Sequence, residues 1–210
     1  MTVVQRTNRF FELSLNLRER ALVAAAALLL CAVSLLPLWN LTMFAPQYPD
    51  GLRMDIYSYT LVGGRDGQDI KEINLLNHYI GMKDLATEDF TEFKWMPFVV
   101  GAIGLLCLRA AVHGRMMDLV DVTMVYAYFA AFSLWSFGYK LYSYGHTLAP
   151  TAAVKIGSFM PPMFGYKKLA NFEVYSYPAA GSYLLGAVVV LLVAAIALAW
   201  RDDTPAVLTV

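Results

Sequence analysis

The stretch LLGAVVVLLVAAIALAW (residues 184–200) contains no charged side chain and no strongly polar one. The hydrocarbon core of a bilayer is about 30 Å thick and requires roughly 20 apolar residues in a helix. Together with the residues just before it, this stretch predicts a membrane-spanning helix over residues 179–200. A helix is expected because a backbone in lipid must satisfy its hydrogen bonds internally. The stretch therefore indicates a membrane protein.

The composition of the whole chain supports this interpretation. Of its 210 residues, 59% are hydrophobic, whereas an ordinary soluble domain has about 45–50%. Lys+Arg and Asp+Glu number 16 each, so the formal net charge is zero. Zero net charge argues against nucleic acid as a partner, because binding a polyanion requires a clustered basic face. Two cysteines exclude a disulfide scaffold and a Cys-rich metal module.

Three further apolar segments predict spanning helices, at residues 21–39, 95–112 and 119–142. The predicted fold class is therefore an all-α integral membrane protein with four transmembrane helices. The first segment ends in LPLWN and lacks a small-residue cleavage site, so we expect an uncleaved anchor and not a signal peptide. The preceding residues 1–20 contain FFELSLNLRER (10–20), which fits an interfacial helix or a strand equally well.

The placement of Lys and Arg predicts the orientation of the spans. Arginines precede the first span, occupy the short turn at 113–118 and follow the fourth span, whereas residues 40–94 hold five Lys/Arg and nine Asp/Glu. The turn, the N-terminal residues 1–20 and the C-terminal residues 201–210 are therefore predicted to be cytoplasmic. The long loops at 40–94 and 143–178 are predicted to be periplasmic and to form one composite head with some β-strand content.

Within the first loop, RMDIYSYTLVGG (53–64) predicts an extended segment that ends in a Gly-rich turn. Apolar residues at helical spacing over 70–80 then predict an amphipathic helix. The second loop contains paired prolines and short β-favouring runs, which predict a compact loop with strands.

The soft metal ligands of the two loops are histidines and methionines. Imidazole and thioether groups together suit copper better than magnesium, calcium or structural zinc. His78 and Met82 lie four residues apart on the predicted helix, and Met160 and Met163 flank a Pro-Pro pair. The candidate ligands for transiently bound copper are therefore His78, Met82, His146, Met160 and Met163. The alternative is that the methionines pack against aromatic rings and the histidines form local hydrogen bonds.

Motifs for other chemistry are missing from the sequence. No C-x-x-C-H motif occurs, so no covalently attached haem is expected. No G-x-S-x-G motif occurs, and neither outer histidine has an obvious nucleophile beside it, so a stand-alone enzyme is not predicted. Residues 119–142 are rich in aromatic side chains, which fit a quinone-binding wall or packing combined with an interfacial aromatic belt.

Five stretches resemble a family of small bacterial membrane proteins called NosB. They are APQYPDGLRMDIY (45–57), INLLNHYIGMK (73–83), EFKWMP (92–97), HTLAPTAAVKI (146–156) and FMPPMFGYKKLANFEVYSYPAAG (159–181). Genes of this family lie beside those of Sec-exported nitrous oxide reductases and of copper handling. The resemblance covers both loops and the starts of the second and fourth spans.

The resemblance implies a multi-pass accessory protein of the bacterial inner membrane that serves a periplasmic copper enzyme similar to nitrous oxide reductase. Assembly, copper handling and electron delivery are the roles it implies, and the partners would be the lipid bilayer and a periplasmic or membrane protein. The alternative is a non-catalytic or quinol-interacting subunit of a larger electron-transfer complex. The positions that match the family's motifs are candidate partner-binding residues: Pro46, Gln47, Tyr48, Asn77, Tyr79, Gly81, Pro161, Pro162, Lys167 and Asn171.

Overall fold

The computed structural model describes residues 3–169 and 171–203. The chain divides into two compact units. The helical unit comprises Met1–Ala32, Phe98–Ala130 and Leu184–Val210. The sheet unit comprises Val33–Pro97 and Ala131–Tyr183, and therefore contains most of both long loops.

Five of the helices contribute to the helical unit: α1 (Val3–Phe11), α2 (Leu17–Val33), α4 (Glu92–His113), α5 (Met116–His146) and α6 (Ala180–Asp203). Among the described residues, three helices are long and apolar enough to cross a membrane, namely α4, α5 and α6. The protein is therefore membrane-embedded, as the sequence predicts.

The prediction of an all-α protein with four spans is wrong in two respects. The structure contains a five-stranded sheet, and its described residues include three helices of membrane-spanning length instead of four. The predicted first span at residues 21–39 is divided, because α2 ends at Val33 and a strand begins at Trp39. At 1.5 Å per residue, the 17 residues of α2 extend about 26 Å, less than the roughly 30 Å of hydrocarbon.

Pro37 and the strand that follows explain why the apolar run does not remain helical. Proline has no backbone N–H and disfavours a helical conformation in the residue before it. The carbonyl of Pro37 accepts a hydrogen bond from Gly181 at 2.8 Å, and the amide of Leu38 donates to Ile56 at 2.7 Å. Hydrophobicity alone does not distinguish a membrane helix from a short helix that leads into a buried strand.

The interior of the helical unit is packed by small and aliphatic side chains. Val23 and Leu30 of α2 are at most 1% exposed, and Val188 and Leu192 of α6 are fully buried. Gly104 of α4 faces α2. A Cβ built at this glycine would lie 3.9 Å from the Ala27 carbonyl oxygen and from the Leu30 Cβ. Small residues of this kind allow helices in a membrane to approach closely.

The N-terminal segment contains both a helix and an extended part. Helix α1 ends at Phe11, and Ser14 then forms an antiparallel bridge with Arg115 in the turn between α4 and α5. The amide of Leu15 donates to the carbonyl of Gly114 at 2.8 Å. The N-terminal segment is therefore attached to the α4–α5 turn.

The sheet unit is built on an antiparallel sheet with strand order β3-β2-β1-β5-β4. Its strands are β1 (Trp39–Ala45), β2 (Tyr48–Ile56), β3 (Leu61–Gly63), β4 (Gly165–Leu169) and β5 (Phe172–Pro178). The first three strands come from the first loop and the last two from the second. Pairing of β1 with β5 therefore unites the two loops, as the predicted composite head requires.

One face of the sheet packs against helix α3 (Gln68–Ile80). Alternate residues of the strands, such as Met43, Leu52 and Val174, are at most 6% exposed and pack with the apolar face of α3. The predicted amphipathic helix over 70–80 is confirmed, with Ile73 and Ile80 buried at its inner face.

Candidate functional site

The end of α3 places His78 and Met82 differently from the prediction. Gly81 ends the helix with a left-handed φ of 81°, and the amide of Met82 donates to the carbonyl of Asn77 at 2.8 Å. His78 is exposed, whereas Met82 is half-buried against the sheet core. Because Met82 lies beyond the end of the helix, the two side chains do not share the helical face that the prediction assumed.

The other candidate copper ligands lie at separate places in the sheet unit. His146 stacks on Tyr142 with ring centroids 3.8 Å apart, and its Nδ1 lies 2.9 Å from the Tyr142 carbonyl oxygen. Met160 and Met163 are half-buried, and their carbonyls accept hydrogen bonds from the Lys167 ammonium at 2.8 Å and the Ser176 hydroxyl at 3.0 Å. Within residues 3–169 and 171–203, no group of three or more His, Cys, Asp or Glu side chains is placed to hold a metal ion.

A cavity of about 80 Å³ lies between the sheet core and the last turns of α5. Its walls are mostly aliphatic and aromatic, with Met43 and Met54 from the sheet and Met82 from the loop after α3. The register of β1 and β2 pairs Met43 with Leu52 and therefore puts Met43 and Met54 on the same face. Of the five candidate copper ligands, Met82 is the one that lines this cavity.

Asn77 is the unusual residue of the cavity wall. It is 1% exposed, and its Nδ2 has no hydrogen-bond partner among the described residues. A buried amide donor without an acceptor is destabilising by about 1–3 kcal/mol. Unpaired buried polar groups are uncommon in native proteins and require an explanation.

The face of the sheet opposite to α3 is open and aromatic. Phe44 and Tyr175 make an edge-to-face contact with centroids 5.6 Å apart, and Tyr175 lies 5.0 Å from Tyr166 on the next strand. Phe44 is 36% exposed and Tyr166 is 50% exposed. We call Phe44, Tyr166, Tyr175 and the 49%-exposed Tyr177 together the aromatic sheet face.

Charged groups surround the aromatic sheet face in pairs of opposite sign. Arg53 and Asp55 form an ion pair at 3.2 Å, and Lys168 lies directly opposite Glu173 across β4 and β5. Partial burial and the Glu173 carboxylate both raise the pKa of Tyr175 and of Tyr166, with burial the larger cause. The two phenols are therefore neutral hydrogen-bond donors at physiological pH.

The predicted partner-binding residues divide into exposed positions and structural ones. Pro46 and Gln47 form the exposed turn between β1 and β2, and Asn171 is exposed in the turn between β4 and β5. Tyr79 is 53% exposed on α3. These four side chains are accessible to a partner.

The remaining predicted partner-binding residues lie within the sheet unit, where most of them make internal contacts. Tyr48 donates a hydrogen bond from its hydroxyl to the Glu72 carboxylate. The carbonyl of Gly81 accepts from Ala149 at 2.8 Å, which attaches the second loop to the end of α3. The others are the cavity residue Asn77, the buried Pro161 and Pro162, and Lys167, which donates to the Met160 carbonyl.

Sequence reasoning missed the aromatic sheet face, although the signal is present in FEVYSYP (Phe172–Pro178). Phe172, Val174 and Ser176 are buried, whereas the alternate residues Glu173, Tyr175 and Tyr177 face outward. A half-buried strand normally carries small polar or charged residues on its outer face. Two tyrosines at outward positions depart from this pattern and could have revealed the aromatic character of this face.

Comparisons with known proteins place the chain in no family, since no protein-family model, no curated protein and no solved structure matches it. Its function must therefore be inferred from the geometry of the sheet unit and from the NosB resemblance of its loops.

Proposed function

We propose that this protein is a membrane-bound accessory protein for a periplasmic copper enzyme, and that the aromatic sheet face docks this enzyme. The observation that carries the proposal is the cluster of the exposed Phe44 and Tyr166 around the half-buried Tyr175 on an otherwise well-packed sheet. Tyrosine and phenylalanine are enriched at the centres of protein interfaces, where they supply large rigid contact areas. The copper-enzyme identity of the partner comes from the NosB resemblance.

The proposed location is the inner membrane of a bacterium, with the sheet unit in the periplasm. Arg109 lies in the last turns of α4 and Arg115 lies in the α4–α5 turn, and a positive charge bias favours the cytoplasmic side for such a turn. The bridge from Ser14 to Arg115 keeps the N-terminal segment beside that turn. We therefore assign the N-terminal segment and the end of α6 to the cytoplasm, which requires the 17-residue α2 and the residues between it and Trp39 to reach the periplasmic side together.

The test of docking uses a photo-reactive residue on the aromatic sheet face. Benzoylphenylalanine replaces Tyr175 in one variant and Leu75, which is 62% exposed on α3, in the control. Cells are irradiated, and the cross-linked product is analysed for its protein mass and bound copper. The proposal requires a copper-containing enzyme cross-linked at position 175 and at most a trace at position 75. The proposal is contradicted if the cross-linked products contain lipid alone, or if both variants give the same yield of the copper-containing product.

A second measurement connects docking with function. The double substitution Tyr166→Ser and Tyr175→Ser removes the phenyl rings but leaves outward positions that tolerate polar residues. We expect the copper enzyme in these cells to lose activity at least fivefold, while Leu75→Ser leaves it within twofold of wild type. Unchanged activity in the double variant, with the protein present at normal level, contradicts the proposal.

Copper handling by the sheet unit is a separate part of the proposal. The exposed His78 and the half-buried Met82 are its first candidate donors, followed by His146, Met160 and Met163. Competition between the purified protein and a Cu(I) chelator measures binding, and His78→Ala combined with Met82→Ala is the test variant. A copper role for these residues predicts at least tenfold weaker binding in the double variant. Equal affinity removes these two residues from copper handling while leaving the docking proposal intact.

A specific observation also favours the alternative of a quinol-interacting subunit. The last part of α5 presents Phe132, Trp135, Tyr139 and Tyr142 at exposed positions spaced three or four residues apart. Trp135 and Tyr139 are stacked, with centroids 5.7 Å apart and planes inclined by 16°. Such a stripe offers ring faces to a planar lipid-soluble molecule. Quenching of tryptophan fluorescence by a short-chain quinone, lost in Trp135→Leu, is the result that this alternative predicts.

A further inference from the structure

One end of the sheet leads directly into a membrane-spanning helix. At this end, Trp39 of β1 pairs with Ile56 of β2 on one side and with Pro178 of β5 on the other. Helix α6 begins at Ala180, just after Pro178, and its residues up to Tyr183 belong to the sheet unit. Since α6 is long and apolar enough to cross a membrane, the chain enters the bilayer at this end of the sheet. We call the row of Trp39, Ile56 and Pro178 the membrane end.

Hydrogen bonds hold the last residue of β2 beside the first turn of α6. The amide of Leu38 donates to the carbonyl of Ile56 at 2.7 Å. The carbonyl of Leu38 in turn accepts from the amide of Ala179 at 2.9 Å and from the Ser182 hydroxyl at 2.6 Å. Ile56 therefore lies at the level where α6 begins.

The direction of β2 determines where the chain goes next. This strand runs from Tyr48 to Ile56, toward the membrane end, and the chain returns as β3 at Leu61, which pairs with Ile56. The intervening residues 57–60 close a turn in which the amide of Tyr57 donates to the carbonyl of Thr60 at 2.9 Å. This YSYT turn therefore extends past the membrane end, toward the bilayer.

The chemistry of the YSYT turn suits the interface between membrane and water. Residues 56–64 contain no charged side chain. Tyr59 is 49% exposed, Val62 of β3 is 43% exposed, and the ring centroids of Tyr57 and Tyr59 lie 5.8 Å apart. Tyrosine is enriched at this interface because its ring is apolar while its hydroxyl forms hydrogen bonds with polar groups. The turn therefore presents two interfacial side chains where the chain meets the membrane.

The opposite end of the sheet has a different character. Each residue of the seven-residue β1 adds about 3.3 Å, so this end lies roughly 20 Å from the membrane end. It exposes Gln47 in the β1–β2 turn, Asp50 near the start of β2 and Asn171 in the β4–β5 turn. Polar side chains of this kind favour water, so the polarity of the turns changes along the sheet in the direction that a membrane requires.

The backbone of the YSYT turn limits how deep it can lie. The amides of Ser58 and Tyr59 have no hydrogen-bond partner within the described part of the chain. In the hydrocarbon region, such groups would be unsatisfied at a cost of several kcal/mol each. Headgroup phosphates, ester carbonyls and water provide acceptors for them at the interface. The turn therefore fits the headgroup layer and not the hydrocarbon core.

We propose that the YSYT turn binds the lipid headgroup layer of the bilayer that α6 spans. The rings of Tyr57 and Tyr59 lie at the boundary between headgroups and acyl chains, and the turn amides donate to headgroup oxygens. This contact keeps the membrane end of the sheet at the bilayer surface while the opposite end remains in water. It depends on neither the docking proposal nor the side of the membrane on which the sheet unit lies.

The experiment measures how close single positions of the full chain lie to lipid. Tyr59→Cys, Val62→Cys and Gln47→Cys are made in a background of Cys31→Ser and Cys107→Ser, and each cysteine is labelled with bimane. Each protein is placed in phosphatidylcholine nanodiscs that contain either a nitroxide on the choline headgroup or a nitroxide deep in the acyl chain. Both nitroxides quench bimane fluorescence at short range. Gln47 is the matched control, since it is exposed in a turn at the opposite end.

The expected result is a gradient of quenching by the headgroup nitroxide. Quenching at position 59 is at least fivefold stronger than at position 47, and quenching at position 62 lies between the two. At position 59, the acyl-chain nitroxide quenches less than half as strongly as the headgroup nitroxide. Circular dichroism of each labelled protein verifies that it is folded.

Three outcomes overturn the proposal. Equal headgroup quenching at positions 59 and 47 would put the turn in water, and stronger quenching at position 59 by the acyl-chain nitroxide would put it in hydrocarbon. Quenching at position 62 no greater than at position 47 is the third. Because Val62 is exposed on a strand outside the turn, its variant decides the question even if a label at position 59 disturbs the turn.

Discussion

At the scale of single residues, Gly81 shows how one backbone conformation organises the candidate region. Its positive φ ends α3, turns Met82 toward the core and presents a carbonyl to Ala149. The sequence predicted a helix over residues 70–80, with His78 and Met82 on one face, but contained no information about which way the Met82 side chain points. That direction depends on contacts with residues about 70 positions later in the chain, and no local pattern reports them.

Gly81→Ala is expected to destabilise the sheet unit. A left-handed conformation costs an ordinary residue about 1–2 kcal/mol. In addition, a Cβ at this position would lie 2.9 Å from the carbonyl oxygen of Ala149, so the second loop must shift. Urea unfolding followed by circular dichroism measures the effect. Gly157→Ala is the control, since a Cβ there meets no neighbouring atom within 4 Å. Equal stability of the two variants would contradict the role of Gly81.

Tyr48 gives a prediction for pH dependence. The hydrogen bond to Glu72 is the largest cause that raises the pKa of Tyr48 above its usual value of 10.0. A raised folded-state pKa contributes stability below the unfolded-state pKa, and this contribution is lost as the pH rises through the folded-state pKa. Wild type should therefore lose stability above pH 10 more steeply than Tyr48→Phe. Thermal unfolding from pH 7 to 11.5 compares them, with the exposed Tyr59→Phe as control. Parallel curves for wild type and Tyr48→Phe would exclude this effect.

At the scale of elements, the start of β1 explains the main error of the sequence-based prediction. Residues 21–39 read as one apolar span, yet Trp39 begins a strand and its indole Nε1 donates to the Ser176 hydroxyl at 2.8 Å. Ser176 is 137 positions away along the chain, so hydropathy could not reveal the pairing. By contrast, α6 and α3 were predictable, since each carries its own pattern of apolar residues.

Two buried serines test the packing of these strands. Ser176 accepts from Trp39 and donates to the Met163 carbonyl, whereas the Ser58 hydroxyl has no partner among the described residues. Ser176→Ala leaves two buried partners unpaired and should cost about 2–4 kcal/mol, while Ser58→Ala should be neutral or stabilising. The free energy of unfolding in urea measures both. A larger loss in Ser58→Ala than in Ser176→Ala would contradict the assigned hydrogen bonds.

At the scale of the whole molecule, the two long loops form one sheet unit because β1 and β5 pair along their length. The charge distribution predicted that these loops lie on the same side, and the pairing is consistent with that prediction. The candidate copper ligands do not converge in the same way, since His146 stacks on Tyr142 and Met82 lines the cavity. The residue types of these histidines and methionines suggested copper binding, but where each side chain lies depends on the fold of the sheet.

We propose that the sheet unit lies outside the cytoplasm with its aromatic sheet face accessible, and cysteine labelling tests this location most directly. Cysteines placed at Gln47 and Asn171, both in exposed turns of the sheet, and at Asp202 in α6 serve as reporters in a background of Cys31→Ser and Cys107→Ser. Intact cells are treated with a membrane-impermeant maleimide, and lysed cells serve as the reference. Labelling of positions 47 and 171 in intact cells, with position 202 labelled only after lysis, is the expected result. The reverse pattern would put the sheet unit in the cytoplasm and contradict the proposed docking of a periplasmic enzyme.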